Sequence, residues 1–420
     1  MKRTDHREPW SRLVLLLGLA GLVVMADNWV VSPILPAIAE GLGTPVTGAG
    51  ILIAAYMLPF GLFQLFFGPL ADRIGKLETI LLTLAAFAVV TATGGFMGSL
   101  TGLTTVRALT GVFAAATMPV SLALIGDTVP MSRRQKAIGT FMGIAFLGQG
   151  ISMALGGVIA FSFSWRGVFI IYGVLAAVVT VVLFAGTRTH KGYRSPRGSL
   201  LEPYRRLLGH WDSLRVYLIA VAEGILILGL FSYLGALLSS RHGLGSLGVG
   251  LVMTFFGAAA VLAGRLSGRT ADWIGRKNLI GLALLLGGLS ALALAEVHEL
   301  AVAAVAIFGL GAAFMFAHSS ILTIATEFAA HHRGVAMSLV AFAFMGGGSL
   351  GTTLAGRVIA ADGFGTYLGV WGAGLVVLAG LARVLLAGGV RADRSSAARE
   401  GDRPEQAPTP AQVTSERVVL

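Results

Sequence analysis

Cysteine is absent from the 420 residues, which excludes disulfide staples, thiolate metal ligands and thiol nucleophiles. Charge is scarce as well. Only 12% of residues are Asp, Glu, Lys or Arg, against 55% hydrophobic, whereas a water-soluble domain is about 25% charged. Acidic residues are the fewest, 20 against 31 Lys and Arg. HExxH, a phosphate-cradling Gly-rich loop, a nucleophile elbow and paired metal ligands are all missing. Metal-assisted hydrolysis, ATP-driven work and covalent catalysis therefore have no residues to carry them, and the chain reads as no enzyme. His331 and His332 are adjacent and would point away from each other on a helix, so no metal site is expected there.

What the chain has is long apolar runs. A spanning helix needs about 20 predominantly apolar residues, and uncharged stretches of that length recur at Gly41 to Ala71, Thr79 to Val106, Ala137 to Trp165, Gly243 to Gly264 and Gly334 to Gly356. The pattern predicts an all-α membrane protein with twelve spans, near 12–35, 47–69, 77–98, 101–125, 137–160, 166–186, 214–238, 247–266, 278–296, 299–324, 334–359 and 365–388. The first run follows Lys2, Arg3, Arg7 and Arg12, like the start of a signal peptide. No small-residue cleavage site closes it and it is long enough to span, so it is read as helix 1.

With both termini in the cytoplasm of an inner (plasma) membrane, all Lys and Arg but Arg107, Arg166, Arg241 and Arg357 fall at the cytoplasmic side, 27 of the 31. The opposite orientation would violate the positive-inside bias. The formal charge of +11 is thus topological and no sign of a nucleic-acid partner. The expected organisation is a cytoplasmic N-terminus (1–11), a six-helix half (12–186), a basic linker (187–213), a second six-helix half (214–390) and a disordered tail (391–420). The linker carries Arg188, Lys191, Arg194, Arg197, Arg205 and Arg206, which suit a cytoplasmic connection or a contact with anionic lipid.

A shift of 200 residues superposes the two halves. Gly68-Pro69-Leu70-Ala71-Asp72-Arg73-Ile74-Gly75-Lys76 aligns with Gly268-Arg269-Thr270-Ala271-Asp272-Trp273-Ile274-Gly275-Arg276. Gly111 matches Gly311, Asp127 matches Glu327, Arg133 matches Arg333 and Gly148 matches Gly348. Two like halves related by an axis along the membrane normal imply a substrate site between them near mid-bilayer, exposed to each side in turn.

The segment Gly68 to Lys76 resembles the signature loop between helices 2 and 3 of the major facilitator superfamily, and Gly268 to Arg276 resembles its C-terminal echo. The resemblance covers residues 10–390. It implies a gating role for Gly68, Asp72, Arg73, Gly75 and Asp272, with Asp72 bracing the closed cytoplasmic side against helix 11 and Gly68 and Gly75 giving a tight turn and close helix approach. The stretch Leu103 to Gly111, with Arg107 inside it, is similar to the family's helix 4 motif, although Thr110 stands where glutamine is usual. Gly148, Gly156 and Gly157 match the spacing of the helix 5 antiporter motif as helix-packing positions. Ser152 and Met153 replace its Gly-Pro. The Ser164 to Phe169 segment also resembles the drug-proton antiporter branch. Together these imply a secondary transporter, most readily a proton-coupled exporter of small amphipathic or hydrophobic solutes, with an importer or facilitator of a small metabolite on the same fold, or a transport-inactive membrane receptor, as the alternatives. Its partners would be a small-molecule substrate, protons and the lipid bilayer, with no cofactor and as a monomer.

Two carboxylates lie well inside the predicted spans, Asp27 in helix 1 and Glu223 in helix 7. Intramembrane ionisable groups are costly and mark function by default. Arg107 sits at nearly the depth of Asp27, about six residues or ~9 Å from its helix end, so Asp27, Arg107 and Glu223 are the proton-coupling candidates, with Asp27 and Arg107 expected to pair. Trp29, Tyr56, Gln64, Gln149, Tyr233 and His318 are candidates for lining the substrate cavity.

Overall fold

The computed structural model describes residues 9–187, 202–329 and 333–386. Within a bilayer every backbone N–H and C=O must be satisfied inside the chain, which leaves helices as the solution for apolar runs of this length. The first half comprises α1 (Pro9–Gly41), α2 (Val46–Ile74), α3 (Lys76–Phe96), α4 (Leu100–Thr128), α5 (Met131–Ser162) and α6 (Trp165–Thr187). A two-turn helix, Glu202–Leu208, follows in the linker. The second half comprises α7 (Trp211–His242), α8 (Ser246–Ile274), α9 (Arg276–Glu296) and α10 (Leu300–Phe328). The final stretch, Arg333–Leu385, is broken by non-helical backbone at Gly363 (φ 80°, ψ 179°), giving α11 (333–362) and α12 (364–385). Twelve spans result among the described residues. Of the residues singled out in the linker, Arg188, Lys191, Arg194 and Arg197 lie outside the described residues, as do His331, His332 and the tail.

The repeat is visible in the packing. Gly75 and Gly275 end α2 and α8 with φ of 113° and 84°, a backbone region that residues with a Cβ rarely adopt. Gly111 of α4 packs against the Tyr56 carbonyl of α2, and Gly311 of α10 packs against the Phe256 carbonyl of α8, the same contact moved by 200 residues. Lys76, opening α3, pairs with Asp127 at the end of α4 at 2.5 Å and with Asp72 at 3.3 Å. Arg276, opening α9, pairs with Glu327 at the end of α10. The residues that align in the sequence thus form the same tie in each half.

One expectation is corrected. Residues 68–74 stay helical, so the only true turn is Gly75, and nothing lies within 4 Å of where a Gly68 Cβ would stand. Gly68 provides neither a tight turn nor a close approach.

The end of the molecule bearing Gly75, Gly275 and the linker is called the linker face below. Between the halves, a methyl group built on Gly157 of α5 would stand 2.5 Å from the Ser246 carbonyl oxygen and 3.0 Å from Gly250 Cα of α8. One built on Gly257 of α8 would stand 2.7 Å from Gly150 Cα of α5. Small residues permit such approach, and in lipid it is this contact, rather than a hydrophobic driving force, that holds helices together. Ser32 of α1 donates to the Phe231 carbonyl of α7 at 2.6 Å, Tyr233 to the Thr47 carbonyl at 3.0 Å, and Ser349 of α11 to the Ala54 carbonyl of α2 at 3.0 Å. These ties lie at mid-depth and toward the face opposite the linker.

Candidate functional site

The polar residues that survive inside the apolar helices fall into two groups, one in each half. In the first, Arg107 of α4 donates to the Asp27 carboxylate of α1 at 2.8 Å, and both side chains are 1% exposed. The guanidinium also stands over the Tyr56 ring of α2, 4.3 Å from its centroid, an attraction of about 2 kcal/mol when desolvated. A buried pair of this kind barely offsets its own desolvation, yet removing one partner strands the other charge at a cost of about 3–5 kcal/mol. Asp27 Oδ1, Arg107 Nε and the Tyr56 hydroxyl have no protein partner. Buried polar atoms are rarely left so, and three on one constellation suit a site that exchanges a proton, water or the polar part of a solute.

In the second half, Glu223 of α7 is fully buried and lies 3.1 Å from Nδ1 of His318 on α10. The imidazole is held between aromatic rings, 4.2 Å from Phe344 and 5.6 Å from Phe314 between centroids. Glu223 Oε1 has no partner. Directly after Glu223, Gly224–Leu228 form a turn of π-helix, a feature that recurs at functional sites. Trp371 of α12 donates to the Ile225 carbonyl at 2.9 Å, and Tyr367 to those of Gly229 and Leu230 at 2.8 and 3.1 Å, so the irregular backbone is satisfied from a neighbour.

An aromatic cluster lies between the halves. Trp29 of α1 meets Phe231 of α7 at 4.6 Å, Phe256 of α8 at 5.8 Å and Phe314 of α10 at 5.4 Å between centroids. Trp29 of the first half therefore packs against the second, and it lies two residues after Asp27 of the Arg107–Asp27 pair.

The other sequence candidates are placed as follows. Gln64 of α2 and Gln149 of α5 are buried, and Gln149 Nε2 lacks a partner. Tyr233 spends its hydroxyl on the Thr47 carbonyl and so ties α7 to α2. Gly148 and Gly156 pack α5 against Leu22 and Val30 of α1, inside one half, whereas Gly157 packs α5 against α8 of the other. Asp72 is half-exposed and pairs with Lys76, on its own half rather than on α11. Arg73 lines a crevice at the linker face. Asp272 borders a cavity of about 110 Å³ with Arg276, Ser320 and Thr323. No cluster of three or more metal-ligating side chains occurs among the described residues.

The sequence reading did not find the Lys76–Asp127 and Arg276–Glu327 ties. Their signal was present, because both members of each pair recur at the 200-residue shift. The Glu223–His318 contact and the π-turn carried no such signal.

A profile of the Major Facilitator Superfamily matches residues 17–352 and again 237–415. Among curated relatives, the uncharacterized MFS-type transporter YceJ of Bacillus subtilis is 28% identical over 64% of this chain and 69% of its own length. The tetracenomycin C resistance and export protein of Streptomyces glaucescens is 28% identical over 44% of this chain and 35% of its own. The multidrug efflux pump LfrA of Mycolicibacterium smegmatis is 32% identical over 48% and 39%. The chain thus spans little more than a third of the two named exporters. A crystal structure of a bacterial homolog of the human lysosomal transporter Spinster, inward-facing and unoccupied, superposes with a TM-score of 0.72 at 19% identity, covering 96% of this chain and all of that one.

Proposed function

The chain belongs to the major facilitator superfamily, and from that membership we propose that it exports small amphipathic or hydrophobic organic solutes by alternating access, driven by protons entering from the opposite side. The observation that carries the reading is the Asp27–Arg107 pair, a carboxylate and its counter-charge sealed at 1% exposure with unsatisfied atoms on both members. Protonating Asp27 would cancel one charge of the pair, release Arg107 to other acceptors and change the relative cost of the two openings. Only a ligand that binds the two states unequally can shift such an equilibrium. A proton on Asp27 meets that condition because its cost depends on whether Arg107 is still in contact. The aromatic cluster around Trp29 supplies apolar, polarisable walls for the solute, in keeping with pockets that are mostly apolar with few polar groups. The positive-inside bias supports a cytoplasmic linker face, and the likeness to two named exporters supports the outward direction.

The replacement of Gly-Pro by Ser152 and Met153 in α5 favours a second reading, uptake or facilitated exchange on the same fold. Reconstitution into proteoliposomes with an imposed pH gradient separates the two. Tetracenomycin C and a panel of apolar dyes should accumulate against their gradient only when the proton gradient opposes solute movement. Asp27→Asn should keep solute binding and lose that accumulation. Full gradient-driven transport by Asp27→Asn would sink the proposal, and accumulation in the direction of proton flow would establish uptake.

A further inference from the structure

A cavity of about 1010 Å³ opens at the linker face between α2, α7 and α11. Its walls are apolar: Phe66 and Leu70 from α2, Leu218 from α7 and Phe342 from α11. Phe66 is 59% exposed and Leu218 48%, so the cavity is open sideways, toward lipid. The linker helix closes part of it with Tyr204 and Leu208. That docking has a backbone cause. Pro69 has no N–H, so the Leu65 carbonyl one turn earlier loses its helical donor, and Tyr204 donates to that carbonyl at 2.8 Å. With the linker helix fixed there, an occupant arrives from the bilayer.

Besides Tyr204, two polar side chains break the apolar lining, Arg73 and Tyr217. Arg73, in the last turn of α2, has no ion-pair partner among the described residues, and Arg205 stands exposed on the linker helix beside Tyr204, outside the lining. Of the nearby acids, Asp72 is engaged by Lys76 and Asp212 by Arg215. Tyr217 of α7 also lines the cavity, is 5% exposed, and its hydroxyl has no partner. A cation at the helix end, a buried and unpartnered hydroxyl on a lining residue and a long apolar slot describe the binding partner. It has an anionic head at the surface, an acceptor group just below it and one or more hydrocarbon chains. Basic pockets between spanning helices are known to take the head groups of anionic lipids.

We propose that this crevice binds one anionic phospholipid of the leaflet at the linker face, with its phosphate at Arg73, an ester carbonyl accepting from Tyr217 and an acyl chain between α2 and α7. Because α2 belongs to one half and α7 and α11 to the other, the bound lipid acts as a wedge and favours the state in which these ends are parted. The proposal stands apart from the transport reading.

The absence of native cysteine allows a single reporter. Leu218→Cys, labelled with bimane, is reconstituted in vesicles containing phosphatidylglycerol or phosphatidylcholine brominated on the acyl chains. Val181→Cys, 65% exposed on α6, serves as an open lipid-facing control. Quenching at residue 218 should reach half its maximum at a mole fraction of brominated phosphatidylglycerol about fivefold below that of phosphatidylcholine. The two lipids should quench equally at residue 181. Arg73→Ala should remove the difference at 218, and Tyr217→Phe should weaken quenching by both lipids. Equal quenching at 218 by the two lipids overturns the proposal, as does a preference that survives Arg73→Ala. Relief of the quenching by tetracenomycin C at saturating lipid would instead make the crevice a solute site.

Discussion

The two halves share a scaffold and differ in what they hide within it. The Lys76–Asp127 and Arg276–Glu327 ties, the Gly75 and Gly275 turns and the Gly111 and Gly311 contacts recur at a constant shift of 200. The deep polar groups do not. Position 227, equivalent to Asp27, is Ile227, and position 307, equivalent to Arg107, is Ile307; Glu223 and His318 answer to Val23 and Met118. Duplication therefore kept the parts that set helix geometry, while the ionisable sites are private to each half. What is repeated sets how the helices pack, and what is unrepeated is the pair of buried ionisable contacts.

The sharpest way to break this comparison is to remove one private charge. Arg107→Ala should destabilise the protein by about 3–5 kcal/mol, because Asp27 is left buried and unpaired. Thermal unfolding in detergent reads this, and adding Asp27→Asn should recover most of the loss. If the double variant is no more stable than Arg107→Ala alone, Asp27 and Arg107 are not energetically coupled. In the other half, Glu223→Gln should cost less, about 1–3 kcal/mol, since the His318 ring can still hydrogen-bond an amide.

The shared ties sharpen the comparison because they are equivalent in position and unequal in burial. The Lys76 side chain is 7% exposed and that of Arg276 is 38%. Lys76→Ala should therefore cost about 1–3 kcal/mol, as for a charge-assisted hydrogen bond at a part-buried site, and Arg276→Ala no more than about 1 kcal/mol. Equal losses would mean that solvent exposure does not separate them. The smallest effect is expected at Gly68→Ala. The site is helical and open, so the change should be neutral or stabilise by up to about 1 kcal/mol, with turnover unaltered. Gly75→Ala, at φ 113°, should be clearly destabilising by comparison.

Twelve spans, two halves and the Asp27–Arg107 contact were all legible before any coordinates. An apolar run without charge has few other folds, and a lone acid and a lone base at matched depth on helices of one half have few other partners. Legibility failed where backbone irregularity decides the outcome. Nothing in Gly224 to Leu228 announces a π-turn, and nothing in Glu223 announces His318, 95 residues away. The likeness of the motif to a loop does not hold at Gly68, because the helix runs on to Ile74 and only Gly75 leaves it. The linker's sequence shows a basic connection between the halves and no docking point. Its short helix docks through Tyr204, and the reason, the Leu65 carbonyl orphaned by Pro69, lies 139 residues earlier in the chain.

The π-turn in α7 has a consequence of phase. An α-helix advances about 100° per residue, and a turn that closes i→i+5 hydrogen bonds holds one residue more than its neighbours. Everything after Leu228 is rotated by about that angle from where an unbroken helix would carry it. Upstream of the offset, α7 turns Glu223 to α10. Downstream, it turns Phe231 toward Trp29 of α1 and Tyr233 toward Thr47. Deleting one residue there would restore the regular winding and pull those two faces out of register, so a single element reads both halves only because it is wound at two phases.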